Sequence, residues 1–97
     1  MSLEDEFNSA VDRLPLKIKN ISQEDQLFFY ARYKVAKIGP CNTEKPPFYK
    51  PKDVAKWNAW KEQSELSQQM AMQEYIMKYE MLFPDEDLSL PTYPLAK

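Results

Sequence analysis

SQEDQLFFYARYKVAKIG, residues 22–39, is the stretch whose reading decides the fold. Ser22-Gln-Glu-Asp25 resembles a capping box, with an acid at the third helical position, and predicts a helix that starts at Gln23. The run continues to Ile38 and stops at Gly39, the one glycine of the chain, where a left-handed C-terminal cap costs little. Along it Tyr30, Tyr33, Lys34 and Lys37 fall at i, i+3, i+4 and i+7, so two phenols and two ammonium groups share a face, while Leu27, Phe28, Ala31 and Val35 serve the neighbouring one. Taken alone, this pattern fits tyrosines that border a core beside solvated lysines.

Moving outward, three more helices follow from caps and periodicity. Ser2 caps a first helix with the apolar stripe Leu3, Phe7, Ala10, Val11 and Leu14, and Pro15 stops it. The segment Gly39-Pro-Cys-Asn-Thr-Glu-Lys-Pro-Pro-Phe-Tyr49 carries three prolines and is a loop. A third helix begins near Pro51, which a first turn tolerates, and runs through Trp57 and Trp60. Ser67 caps the last, to which Met70, Met72, Tyr75, Ile76, Tyr79 and Phe83 bring apolar surface up to Pro84. Residues 1–83 form one domain and 84–97 a Pro-containing, irregular C-terminal tail. One glycine and eight prolines, without strand-like alternation, fit an all-α chain with firm connections.

Charge sharpens the reading. Residues 30–56 hold seven cations (Arg32, Lys34, Lys37, Lys45, Lys50, Lys52, Lys56) against Glu44 and Asp53, a local net of +5 in a chain whose net charge is −2. Cations gathered beside Tyr30, Tyr33, Tyr49 and Trp57 make an anion site with flat apolar surfaces next to it, suited to a phosphorylated ligand with an aromatic ring. At 43% hydrophobic and 13% aromatic the chain is not disordered. No histidine and a single cysteine, Cys41, exclude a His-based triad and a zinc site, and one cysteine suits a reducing compartment. The opening MSLEDEF reads as neither a signal peptide nor a membrane anchor.

Tyr30-Ala-Arg-Tyr-Lys34, Ile38-Gly39, Asn42-Thr-Glu-Lys-Pro46, Ala55-Lys56-Trp57-Asn-Ala-Trp60 and Glu74-Tyr75-Ile76 closely resemble the acyl-CoA-binding protein family in order and spacing. The resemblance runs from about Phe7 to about Leu82 without an evident gap. It implies an up-and-down four-helix bundle that binds long-chain fatty acyl-CoA in a shallow bowl, with no cofactor and no catalysis. By the same resemblance, Tyr30 lies by the 3′-phosphate of the CoA ribose, Tyr33 packs on adenine, Lys34 and Lys56 hold the phosphate, Lys52 contributes, and Tyr75 adds a hydrogen-bond donor. Ala31 and Arg32 border the ligand between the two tyrosines. A phosphate dianion is best held by several charge-assisted bonds, which agrees with that set.

Three departures stand out. Many members carry a lysine where this chain has Pro15, leaving Arg13 or Lys17 to replace it. Asp53 and Val54 bring an acid into the family's basic run. Gln26 replaces a residue that is often apolar. Trp60 is expected in the core and Trp57 partly so, Cys41 is a bystander, and Leu27, Phe29 and Ala55 are walls for an acyl chain.

The expected protein is a monomeric, cytoplasmic carrier and pool former for long-chain acyl-CoA, meeting acyl-CoA-using enzymes transiently, without stable membrane insertion and without nucleic acid. A helical protein-interaction module and an acyl-CoA hydrolase are the alternatives. The hydrolase needs a nucleophile and base that the motifs do not supply, and RNA binding is disfavoured by a pI of about 5.1.

Overall fold

The computed structural model describes residues 2–86 and 88. Helices α1 (Leu3–Arg13), α2 (Gln23–Lys37), α3 (Pro51–Glu62) and α4 (Gln68–Leu82) form a four-helix bundle, with two 3-10 turns, Leu14–Leu16 and Ile18–Asn20, between the first two. The starts are set locally. Ser2, Ser22 and Ser67 each accept, through Oγ, the backbone N–H three residues on, at 3.1, 3.1 and 3.0 Å, while α3 opens on Pro51 without a side-chain cap. The Asp25 half of the expected capping box is diverted: its carboxylate meets Lys78 Nζ at 3.0 Å and ties α2 to α4.

The end of α2 is built as the sequence implies. Gly39 takes φ +106°, and its N–H donates to the Lys34 carbonyl at 3.2 Å. Two longer-range bonds then satisfy carbonyls that a helix end leaves orphaned. Trp60, 3% exposed, donates Nε1–H to the Gly39 carbonyl at 2.8 Å, and Gln68 Nε2 donates to Ala36 at 3.2 Å. Trp60 is thus both core and cap, and Trp57, half-buried, ties the 39–50 loop to α3 by donating to the Thr43 carbonyl at 3.0 Å.

α4 packs against α1 and α2, and α3 packs against α2. Buried Ala10, Ala36 and Ala71 let the backbones approach, and the rings of Phe7 and Phe29 meet Tyr75 edge-on at 5.0 and 4.8 Å. On α4 the buried face is Ala71, Tyr75, Ile76 and Tyr79, with Met72 and Phe83 packed against it, whereas Met70, expected to add apolar surface, is exposed.

Beyond α4 the chain is still attached. Glu86 accepts from the Tyr79 hydroxyl at 2.6 Å and pairs with Lys17 and Arg13, and Leu88 is 2% exposed within the core. Burial raises the Glu86 carboxyl, but donation from Lys17 and Tyr79 and the Lys17 charge outweigh that, and its pKa lies below the ordinary value. The remainder of the expected tail, residues 87 and 89–97, lies outside the described residues. Among the described residues no helix is long and apolar enough to cross a membrane.

Candidate ligand-binding site

One stripe of α2 turns outward to a cavity. Gln23, Gln26, Leu27, Tyr30 and Tyr33 recur at three- and four-residue steps and line an opening of about 770 Å³. The opposite wall is Val11, Leu14, Pro15 and Ile18, from α1 and the 3-10 segment. Tyr75 of α4 and Ala55, Lys52 and Lys56 of α3 complete it. Its volume falls within the roughly 300–1,000 Å³ of small-molecule sites. The lining is apolar on α1 and the 3-10 segment, and cations with phenols stand on the α2–α3 side.

Lys52 and Lys56 sit at i, i+4 on α3, exposed, and Lys56 Nζ lies 5.6 Å from the Tyr30 ring centroid. Among the described residues neither lysine makes an ion pair, and neither does Lys34. Burial first, then Cys41 and Asp53, raise the Tyr30 phenol. Burial, then Tyr33, raise that of Tyr75 far above its ordinary value. Both stay neutral hydroxyl donors at physiological pH. Tyr75, 3% exposed, lines the cavity, where its hydroxyl can donate to an occupant.

The structure brings Tyr30, Tyr33, Lys52, Lys56 and Tyr75 together at this cavity, with the expected chain walls Leu27, Phe29 and Ala55. The face shared by Tyr30, Tyr33, Lys34 and Lys37 divides, because long side chains leave a helix sideways. Lys34 Nζ rests 4.7 Å from the Trp60 ring on the α3 side, and Lys37 donates to Asn8 Oδ1 at 3.2 Å on the α1 side. Lys34 is therefore beside the cavity without lining it.

Ala31 and Arg32, expected to border a ligand, do not line it. Ala31 is 1% exposed inside the bundle. Arg32 lies over the Phe28 ring at 3.7 Å and binds Glu74 Oε1 at 3.0 Å, joining α2 to α4. Sitting one and two residues on from Tyr30, both are rotated off its stripe by roughly 100° per residue.

Neither neighbour of Pro15 replaces the family's lysine at the cavity. Arg13 and Lys17 both turn to Glu86, leaving Pro15 and Ile18 as an apolar wall. Gln26 has a role its chemistry alone did not reveal. Its Nε2 donates to the carbonyls of Ile18 at 2.9 Å and Ile21 at 3.2 Å, fastening the second 3-10 turn to α2. Only the nitrogen can donate to two carbonyls, which fixes the amide's orientation. Gln23, Leu14 and Ile18 were not expected in the wall. Leu14 read as core, and only the departure at Pro15 drew notice to that segment.

Known proteins resemble this chain in sequence and in fold. The profile of the family described as acyl CoA binding protein matches residues 4–79. Acyl-CoA-binding domain-containing protein 6 of Danio rerio is 43% identical over 83 residues, which are 86% of this chain and 28% of that protein. The chain thus spans less than a third of that relative. Acyl-CoA-binding domain-containing protein 2 of Oryza sativa subsp. japonica is 36% identical over 89 residues, 92% of this chain and 98% of the relative. Among solved structures, the crystal structure of Oryza sativa Acyl-CoA-Binding Protein 2 superposes with a TM-score of 0.81 at 36% identity, covering 86% of this chain and 90% of its own. ACBP from Moniliophthora perniciosa gives 0.69 at 30%, covering 80% and 76%. With the match running through α1 to α4 and the bundle superposing on two solved members, this chain belongs to the acyl-CoA-binding protein family.

Proposed function

We propose that the chain binds long-chain fatty acyl-CoA one-to-one, as a monomer, and serves as an intracellular carrier and pool former that hands the ester to acyl-CoA-using enzymes. The observation that carries this reading is one cavity with an apolar wall on one side and, on the other, phenols and lysines that make no ion pair among the described residues. An acyl chain gains by leaving water for Leu27, Phe29, Ile18 and Ala55. Lys56, Lys52 and Tyr30, with Lys34 beside them, hold the 3′-phosphate by charge-assisted bonds, Tyr33 offers adenine a flat face, and Tyr75 donates from below. In this reading Ala31 and Arg32 maintain the bundle rather than touch the ligand.

Binding, not turnover, is the mechanism. Among the described residues the lining has no Ser, Thr, Cys, Asp or Glu side chain from which to build a nucleophile and base, which weighs against the hydrolase reading. Enclosing the ester withdraws its thioester from water, so hydrolysis slows or is unchanged. Calorimetry with acyl-CoAs of increasing length tests the reading. At about 0.8 kcal/mol per buried methylene, two carbons add roughly 15-fold in affinity until the cavity is full. Affinity that ignores chain length contradicts the reading, and multiple-turnover thiol release from palmitoyl-CoA replaces it with an enzyme.

A further inference from the structure

The 39–50 loop ends in a feature that the cavity does not use. Lys50 N–H closes a turn on the Pro47 carbonyl at 3.0 Å, placing Phe48 and Tyr49 at its tip. Phe48 is 91% exposed and Tyr49 69% exposed, and their rings meet each other edge-to-face at 5.7 Å. Pro46, Pro47 and Pro51 surround the pair, so the tip is held rigid by its own backbone and little ordering entropy opposes contact. Lys45, Lys50 and Lys52 are all exposed and no acid lies between them in sequence, while Glu44 and Asp53 bracket the run. Behind Phe48 a second hollow of about 520 Å³ is lined by Lys45, Pro46, Pro51 and Val54, and it shares Ala55 with the ligand cavity.

We propose that the Phe48–Tyr49 tip, with Lys45, Lys50 and Lys52, docks the protein on an anionic lipid bilayer. The chemistry selects that partner. A convex pair of rings exposes at most about 500 Å², well short of the roughly 800 Å² that each side of a stable protein interface buries. That shape suits insertion between headgroups, where a phenyl ring enters the acyl boundary, a phenol stays at the water interface, and ammonium groups meet lipid phosphates. Because Lys52 and Ala55 belong to the cavity as well, the docking surface adjoins the acyl site. The proposal does not depend on acyl-CoA recognition, since the tip and its three lysines are present without ligand.

Co-sedimentation of the full chain with sucrose-loaded vesicles tests it, using phosphatidylcholine alone and phosphatidylcholine mixed with phosphatidylserine. The wild type is expected to sediment with the mixed vesicles and several-fold less with the neutral ones, and added salt weakens the former because lysine–lipid attraction is screened. The doubly substituted Phe48→Ser, Tyr49→Ser protein should partition at least ~10-fold less onto mixed vesicles. Lys45→Gln with Lys50→Gln, which leaves only Lys52 of the three, should cut the preference for anionic lipid several-fold. None of these four residues lines the ligand cavity, so calorimetry with palmitoyl-CoA and circular dichroism separate a lost surface from a lost fold. Failure of the wild type to sediment with mixed vesicles, or sedimentation of the Phe48→Ser, Tyr49→Ser protein equal to wild type, overturns the proposal.

Discussion

In the proposed reading recognition of the nucleotide turns on Lys56, which is exposed at the cavity rim, free of any acid within ion-pair reach among the described residues, and near the Tyr30 ring. A hydrogen bond to a charged group is worth about 1.5–3 kcal/mol, so Lys56→Ala and Lys34→Ala should each weaken palmitoyl-CoA binding roughly 10- to 150-fold. With 3′-dephospho-palmitoyl-CoA both variants should match wild type. Equal losses with both ligands in calorimetry contradict the phosphate role. Gln26 bears on stability. Gln26→Leu strips two donors from the Ile18 and Ile21 carbonyls, and at about 0.5–1.5 kcal/mol per bond it should lower stability by about 1–3 kcal/mol, read as a lower thermal midpoint. An unchanged midpoint means the fastening is energetically idle.

At the level of elements, what a sequence shows is what short-range chemistry decides. Serine caps three residues before a free N–H, Pro51 at a first turn, and Gly39 after α2 need only neighbouring residues, and each was legible. Long-range partners were not. Asp25 left its own cap for Lys78, and Arg13 and Lys17 left the cavity for Glu86, about 70 residues on. Nothing in the spacing reports such pairs, because a charge is satisfied by whatever the packing brings near. Gly39 invites a clean test: a Cβ there meets nothing within 4 Å, so Gly39→Ala costs only the backbone strain of its positive φ, about 1–2 kcal/mol in denaturant unfolding. A cost near zero would show that the turn relaxes freely.

Glu86 joins the segment after α4 to the start of the 3-10 wall. Since its folded pKa lies below the ordinary 4.5, its contribution to stability is full above about pH 4.5 and is lost as pH falls through the folded value. Chemical unfolding of Glu86→Gln should therefore show reduced stability at neutral pH and a shallower decline in acid than wild type. Parallel curves for the two proteins would assign the acid loss to other carboxylates.

For the molecule as a whole, the sequence carried the fold class, the family resemblance and eight of the residues that meet at the cavity, because stripe periodicity and motif order survive folding. The cavity's shape depended on side-chain direction: the departure of Lys34 and Lys37 from the tyrosine face, the rotation of Arg32 onto Glu74, and the α1 wall all required three dimensions. Lys52 and Lys56, two of the seven cations of residues 30–56, set a cationic rim against an apolar wall, and the account's central claim is that one ligand spans both. Isothermal calorimetry of the wild type with palmitoyl-CoA, free CoA and palmitate tests that claim most directly. The account predicts one-to-one binding of palmitoyl-CoA far tighter than that of either fragment, and palmitate bound as tightly as palmitoyl-CoA would contradict it, since the lysine rim would then contribute nothing.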